Sequence, residues 1–205
     1  MSNLKASDVA KWFIKNDLDN PRDTFDGNMK LQKLLFFSQL IHLAKFDRPL
    51  FQDDMKAYRN GSVINEVRMA YKSTPTLFIQ ESKRTNFQFD DQINETLKLT
   101  ADIFGGMTAD ELSDLNHELS SWKFHYHSSV TDNPNVYDNY KNTIVLDGEL
   151  LKRDVKKIKQ MLNSYESNKE NNTEEFEVIN GVTYYFDPNE VELTEDILAE
   201  LEEMD

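Results

Sequence analysis

The chemically most versatile side chains of this chain are its four histidines, His42, His117, His125 and His127, and no cysteine accompanies them. Thiol nucleophiles, disulfides and cysteine-based zinc or iron–sulfur sites are therefore outside its repertoire. In an extended segment His125-Tyr126-His127 would put two imidazoles on one face, a start to a metal site to which His117 could add a third nitrogen. No carboxylate stands at a spacing that completes it, and surface histidines beside aromatics are the plainer reading. His117-Glu118 offers a base and an acid, but neighbours on a helix diverge by about 100°, so hydrogen bonding within the fold is their simpler role. HExxH, GxSxG, Walker-type and GxGxxG patterns are absent, and six glycines give little material for a phosphate cradle. No catalytic residue, metal or cofactor is assigned.

Elements must position these residues, and the strongest element signal is residues 30–45, KLQKLLFFSQLIHLAK, without a Gly, Pro, Val or Asn. Its apolar side chains fall on nearly every side, which predicts a central helix enclosed by other elements. Lys30, Gln32, Lys33, Ser38, Gln39 and His42 are its polar exceptions, and any that are buried need partners. Before it, Ser7 is placed to cap a helix ending near Asn16, with Val9, Trp12 and Phe13 on one face and Lys11 and Lys15 in water. Residues 16–28 read as loop, and Asp47 and Pro49 stop the central helix.

Residues 55–58 read as extended, 59–61 as a turn, 62–72 as a helix ended by Pro75, 76–80 as strand or buried loop, and 82–90 as a polar connection. A helix over 92–104 is stopped by Gly105-Gly106. The next begins at a capping box of Thr108 and Glu111 and continues through Leu112, Leu115 and Leu119. After a loop at 132–142, Asp147 caps a helix whose apolar stripe runs Leu150, Leu151, Val155, Ile158, Met161, Leu162 and Tyr165.

The net charge of −14 is not spread along the chain. Residues 166–205 carry 14 acidic side chains and only Lys169, whereas residues 1–165 carry 23 acidic and 22 basic ones. The expected organisation is a mainly α fold: a single helical domain, 1–165, around the buried central helix with a small β component, then an acidic appendage, 166–205. Within the appendage, 167–174 reads as a linker, Asn180-Gly181 flanked by β-formers reads as a hairpin, and Thr194 caps a short acidic helix. Its acids are interleaved with Tyr184, Tyr185, Phe186, Ile197, Leu198 and Leu201, which favours docking on a basic partner over plain solvation. No basic surplus argues for nucleic acid as the primary partner. The N-terminus lacks a signal-peptide pattern and no apolar run approaches the roughly 20 residues of a membrane span, so a cytoplasmic protein is expected.

The central segment, followed by RPLFQDDMKAYRNGSV and DELSDLNHELSSW, resembles the Panacea-domain family, which includes SocA-like and GepA-like antitoxins. Leu31, Lys33, Leu34 and Leu35 fall on its Lys-Leu-rich helix motif, and Pro49, Leu50 and Phe51 on the motif after it. Ala57, Tyr58, Gly61 and Val63 fall on Ala-Trp-x-x-Gly-Pro-Val, and Leu112, Leu115, His117, Glu118 and Trp122 on Leu-x-x-Leu-Thr-His-x-Glu-x-x-Trp. Tyr58 stands for Trp, Ser62 for Pro, Asn116 for Thr and Ser121 for Pro. The resemblance spans residues 9–165 and leaves the tail outside.

It implies a non-enzymatic antitoxin of a bacterial or prophage toxin–antitoxin pair that neutralises a protein toxin by direct binding. A homo-oligomer stands beside this as a separate partner reading. The alternatives are an adaptor that delivers the toxin to a protease and, behind it, a metal hydrolase using the histidines. The expected partner-binding residues are Tyr58, Gly61, His117, Glu118 and Trp122 on the body and the six apolar tail residues named above.

Overall fold

The computed structural model describes residues 4–19, 28–129, 144, 149–171, 178–179 and 182–183. The chain divides into two units, Met1–Asn171 and Asn172–Asp205. In the first, the described elements are α1 (Ala6–Lys15), α2 (Met29–Phe46), β1 (Met55–Tyr58), β2 (Gly61–Ile64), α3 (Asn65–Ser73), α4 (Pro75–Arg84), α5 (Asp91–Phe104), α6 (Ala109–His117), α7 (Ser120–Ser129) and α8 (Glu149–Asn171). Those of the second are β3 (Val178–Ile179) and β4 (Val182–Thr183). The fold is mainly helical with small antiparallel sheets, as the sequence implies. No helix among the described residues is long and apolar enough to cross a membrane.

Helix α2 is the core element: 13 of its 18 residues are buried, and α1, α5, α6, α8 and β2 pack around it. Each large apolar side chain buried this way contributes roughly 1.5–3 kcal/mol. Its polar exceptions are answered by fastening neighbouring backbone. Gln39 accepts from Leu50 N (2.9 Å) and Phe51 N (3.2 Å) and donates to Phe51 O (3.1 Å). Two turns earlier on the same side, Gln32 accepts from Ile64 N at 2.8 Å and faces Ile64 O at 3.5 Å. The two amides satisfy backbone groups of Ile64, Leu50 and Phe51 that are buried against α2. Asp47, in the left-handed region at φ 52°, ends the helix.

Several boundaries depart from the sequence expectation. Ser7 lies inside α1; Ala6 N is instead taken by Asp53 Oδ2 at 3.1 Å. Lys11 and Lys15 do not stand in water but reach α4, Lys11 to Glu81 at 2.6 Å and Lys15 to Thr85 O at 2.6 Å. Ser62 belongs to a strand, because β2 pairs with β1 in the register Met55↔Ile64 through Tyr58↔Gly61, and the helix starts only at Asn65. Residues 76–80 are helical: Pro75 does not merely end α3 but sits at the first position of α4, where its fixed φ and missing N–H cost nothing.

The helix capped by Thr108 breaks after His117, so Leu119 lies in the corner before α7 and Leu115 is 40 % exposed. Helix α8 runs through Asn171, so 167–171 is helix rather than linker; Lys45 holds Glu166 at 2.7 Å and Lys169 lies over the Tyr165 ring. The capping box at Thr108 and the Asp90 cap of α5 form as sequence chemistry dictates.

In the second unit, Val178 pairs with Thr183 and Ile179 with Val182, the antiparallel register a hairpin centred on Asn180-Gly181 requires. Residues 180–181, the loop at 132–142, the Asp147 cap, the Thr194 cap and the tail residues Tyr184, Tyr185, Phe186, Ile197, Leu198 and Leu201 lie outside the described residues.

Candidate functional site

Three segments distant in sequence converge where the β1–β2 hairpin meets the corner between α6 and α7. Gly61 is the hinge of this arrangement. Its φ of +100° is a conformation that favours glycine, and a Cβ there would lie 2.3 Å from Asn116 Oδ1 and 2.4 Å from Lys33 Cε. The hairpin backbone therefore rests directly on a lysine from α2 and an asparagine from α6.

Ser62 and Asn116 close the junction by hydrogen bonding to each other. Ser62 N donates to Asn116 Oδ1, and Asn116 Nδ2 donates to Ser62 Oγ at 3.1 Å. Both positions depart from the family pattern, which has Pro and Thr there. A proline at 62 would bring no N–H; the serine brings one, and the asparagine amide supplies its acceptor. The two departures are thus physically coupled. Nearby, Ser113 Oγ donates to Asn60 O at 3.1 Å.

Trp122 joins the hairpin to α7. Its Nε1 donates to Tyr58 O at 2.9 Å, and its ring stacks with His117 (centroids 4.0 Å apart) and with Tyr126 (4.8 Å). Tyr58 in turn lies under the Arg68 guanidinium, 5.9 Å from its ring centroid. Burial and then the charge of Lys33 depress the His117 pKa, against a backbone hydrogen bond to Arg59 and the charges of Asp114 and Glu118. Its buried Nε2 has no hydrogen-bond partner. Glu118 points to solvent, its carboxyl held low chiefly by a hydrogen bond with Lys123 at 2.9 Å.

The body residues singled out from the sequence, Tyr58, Gly61, His117, Glu118 and Trp122, therefore come together in one region. His117 and Glu118 do not converge on a common point, since one stacks on Trp122 and the other pairs with Lys123. His125 and His127 lie on α7 rather than on a strand, so the extended segment on which the metal reading rests is not formed. His125 Nδ1 is 2.6 Å from Ser121 O. Among the described residues no group of three His, Cys, Asp or Glu side chains is placed to hold a metal.

Two participants were not among the partner-binding residues expected from the sequence. Asp154 of α8, fully buried, accepts from Ser120 N and Ser121 N at 2.8 Å each and so caps α7 from another helix. The legible signal is an acid on the apolar face between Leu151 and Ile158. Lys33, 1 % exposed, is the other. Its ammonium makes one long contact, 3.4 Å to Ser62 O, and burial alone lowers its pKa to about 7. Around this junction, Leu115 and Phe124 (59 % exposed) present apolar surface on α6 and α7.

Residues 31–123 match the family model described as antitoxin SocA-like, Panacea domain. That span holds all the motif residues on which the resemblance was drawn, and it supports an antitoxin role in general. Neither curated proteins nor solved structures give a match to this chain.

Proposed function

We propose that the chain is the antitoxin of a toxin–antitoxin pair and neutralises a protein toxin by direct contact rather than by chemistry. The observation that carries this reading is the match over residues 31–123, several of whose motif positions, Lys33, Tyr58, Gly61, His117 and Trp122, meet at one junction of hairpin, α6 and α7. Buried members of the junction set the backbone; the exposed surface beside it supplies contact. Tyr58, Glu118, Leu115 and Phe124 form the body's share of the toxin contact in this reading, and the buried Trp122 holds the Tyr58 backbone in place for it. The tail adds specificity through Tyr184, Tyr185, Phe186, Ile197, Leu198 and Leu201. Residues 172–205 carry 12 acids and no base, so the complementary toxin surface is basic.

Co-expression of the product of the adjacent gene with this chain tests the proposal. That product should be toxic alone, tolerated in its presence and captured on it. Phe124→Glu should weaken capture at least tenfold without lowering the thermal midpoint, because the side chain is exposed. Deleting 172–205 should weaken capture and flatten its salt dependence. A harmless neighbour that does not co-purify contradicts the reading. A toxin whose half-life collapses when this chain is present would favour delivery to a protease over masking.

A further inference from the structure

A cleft of about 460 Å³ opens beside the junction, between the start of α2, the hairpin turn and α3. Lys33, Arg59 and Arg68 line it, together with the apolar sides of Met29, Val63 and Tyr58, and no carboxylate is among its lining residues. This volume lies within the range of small-molecule sites.

The charges around the cleft are unanswered. No ion pair among the described residues involves Lys33, Arg59 or Arg68. Arg68 has the Tyr58 ring for company, and Lys33 has a single carbonyl at 3.4 Å for three N–H donors. Asn28 and Met29, which begin α2, also line the cleft; α2 has no acid in its first turn and no side-chain cap, so its positive end faces the same space. A second cleft of about 570 Å³, beside Leu43, is also lined by lysines, but there Lys159 pairs with Asp47 and Lys152 with Glu149. Asp47 also lies among the residues lining that second cleft, whereas the first has no carboxylate on its lining.

We propose that the cleft at Lys33, Arg59 and Arg68 binds a small phosphate monoester, its phosphate met by the three cations and the start of α2 and its organic part resting on Met29, Val63 and Tyr58. Two guanidinium forks and one ammonium match a dianionic, multidentate phosphate better than a single carboxylate. The site needs no glycine-rich loop, because side chains do the cradling. Burying an uncompensated lysine works against stability, and a bound anion would supply the compensation. The site is independent of the antitoxin reading: a chain that captures no toxin still presents it.

Calorimetric titration of the full chain at pH 6.5 with inorganic phosphate, adenosine 5′-monophosphate and adenosine tests the site. Phosphate and the monophosphate should bind, the monophosphate at least tenfold tighter than adenosine. Arg68→Gln and the exposed Arg59→Gln should each weaken the monophosphate at least fivefold, and Lys33→Met should remove binding while circular dichroism stays unchanged. Arg59→Gln keeps the test decisive should Lys33→Met refold differently. No binding of phosphate or monophosphate at millimolar concentration overturns the proposal, as does equal affinity for adenosine or for the arginine variants.

Discussion

Toward its C-terminal end α2 buries Gln39 and His42 and gives each a partner, while toward its N-terminal end it buries Lys33 and leaves its ammonium with one carbonyl at 3.4 Å. Gln39 makes three bonds to the backbone of Leu50 and Phe51. His42 Nδ1 lies 2.8 Å from Thr96 Oγ1, whose single hydrogen goes to Gln92 O, so the imidazole donates. The same helix thus satisfies its buried amides and imidazole, Gln32 included, and leaves one buried group, the Lys33 ammonium, unfinished. The Gln39 end ties down segments that carry no candidate site; the Lys33 end faces Gly61, His117 and the cationic cleft. Under-satisfied buried charge at a cleft is a mark of sites kept for function at some expense of stability.

The largest expected effect comes from crowding the Lys33 end. Gly61→Ala forces a side chain into the left-handed region and against Asn116 and Lys33, and should destabilise by about 4 kcal/mol in denaturant unfolding. A loss under about 1 kcal/mol would mean the hairpin is not pinned there. Next, Gln39→Leu at the other end strands two buried N–H groups and a carbonyl, at about 3 kcal/mol. A neutral outcome would erase the contrast between the two ends.

The third effect is read in pH. Burial, followed by the charge of Arg48, lowers the His42 pKa to about 4, so the unfolded chain binds the extra proton between there and pH 6.5. Stability should accordingly rise with pH across that window by about 2 kcal/mol, a slope that His42→Gln removes. An unchanged slope in the variant would assign the acid sensitivity elsewhere.

What could be read from the sequence divides along the same line. Local chemistry was legible: the all-round apolar α2, the Thr108–Glu111 box, the Asp47 stop and the register of the Asn180-Gly181 hairpin follow from neighbours in the chain. The requirement that buried Gln32, Gln39 and His42 find partners was legible too, but the partners were not, because Ile64, Phe51 and Thr96 lie 12 to 54 positions away. Residues 76–80 misled because TLFIQ carries β-branched and aromatic side chains, and Pro75 starts a helix as readily as it ends one. His125-Tyr126-His127 misled because alternation counts only in a strand. For the site, motif resemblance brought Tyr58, Gly61, His117 and Trp122 together, whereas Asp154 and the isolation of Lys33 needed the fold.

Whether the Lys33 end of α2 is kept for a site rather than for stability is decided by the unfolding free energy of Lys33→Met against the parent chain from pH 6 to 10.5. Because the folded chain holds the Lys33 pKa near 7 and the unfolded chain near 10.5, the parent is weakest below pH 7 and gains stability as pH rises through that interval. The variant should be the more stable of the two at pH 6, by about 2 kcal/mol, with the gap closing toward pH 10.5. A variant less stable than the parent at pH 6, or a gap that does not change with pH, would show that Lys33 is a structural residue.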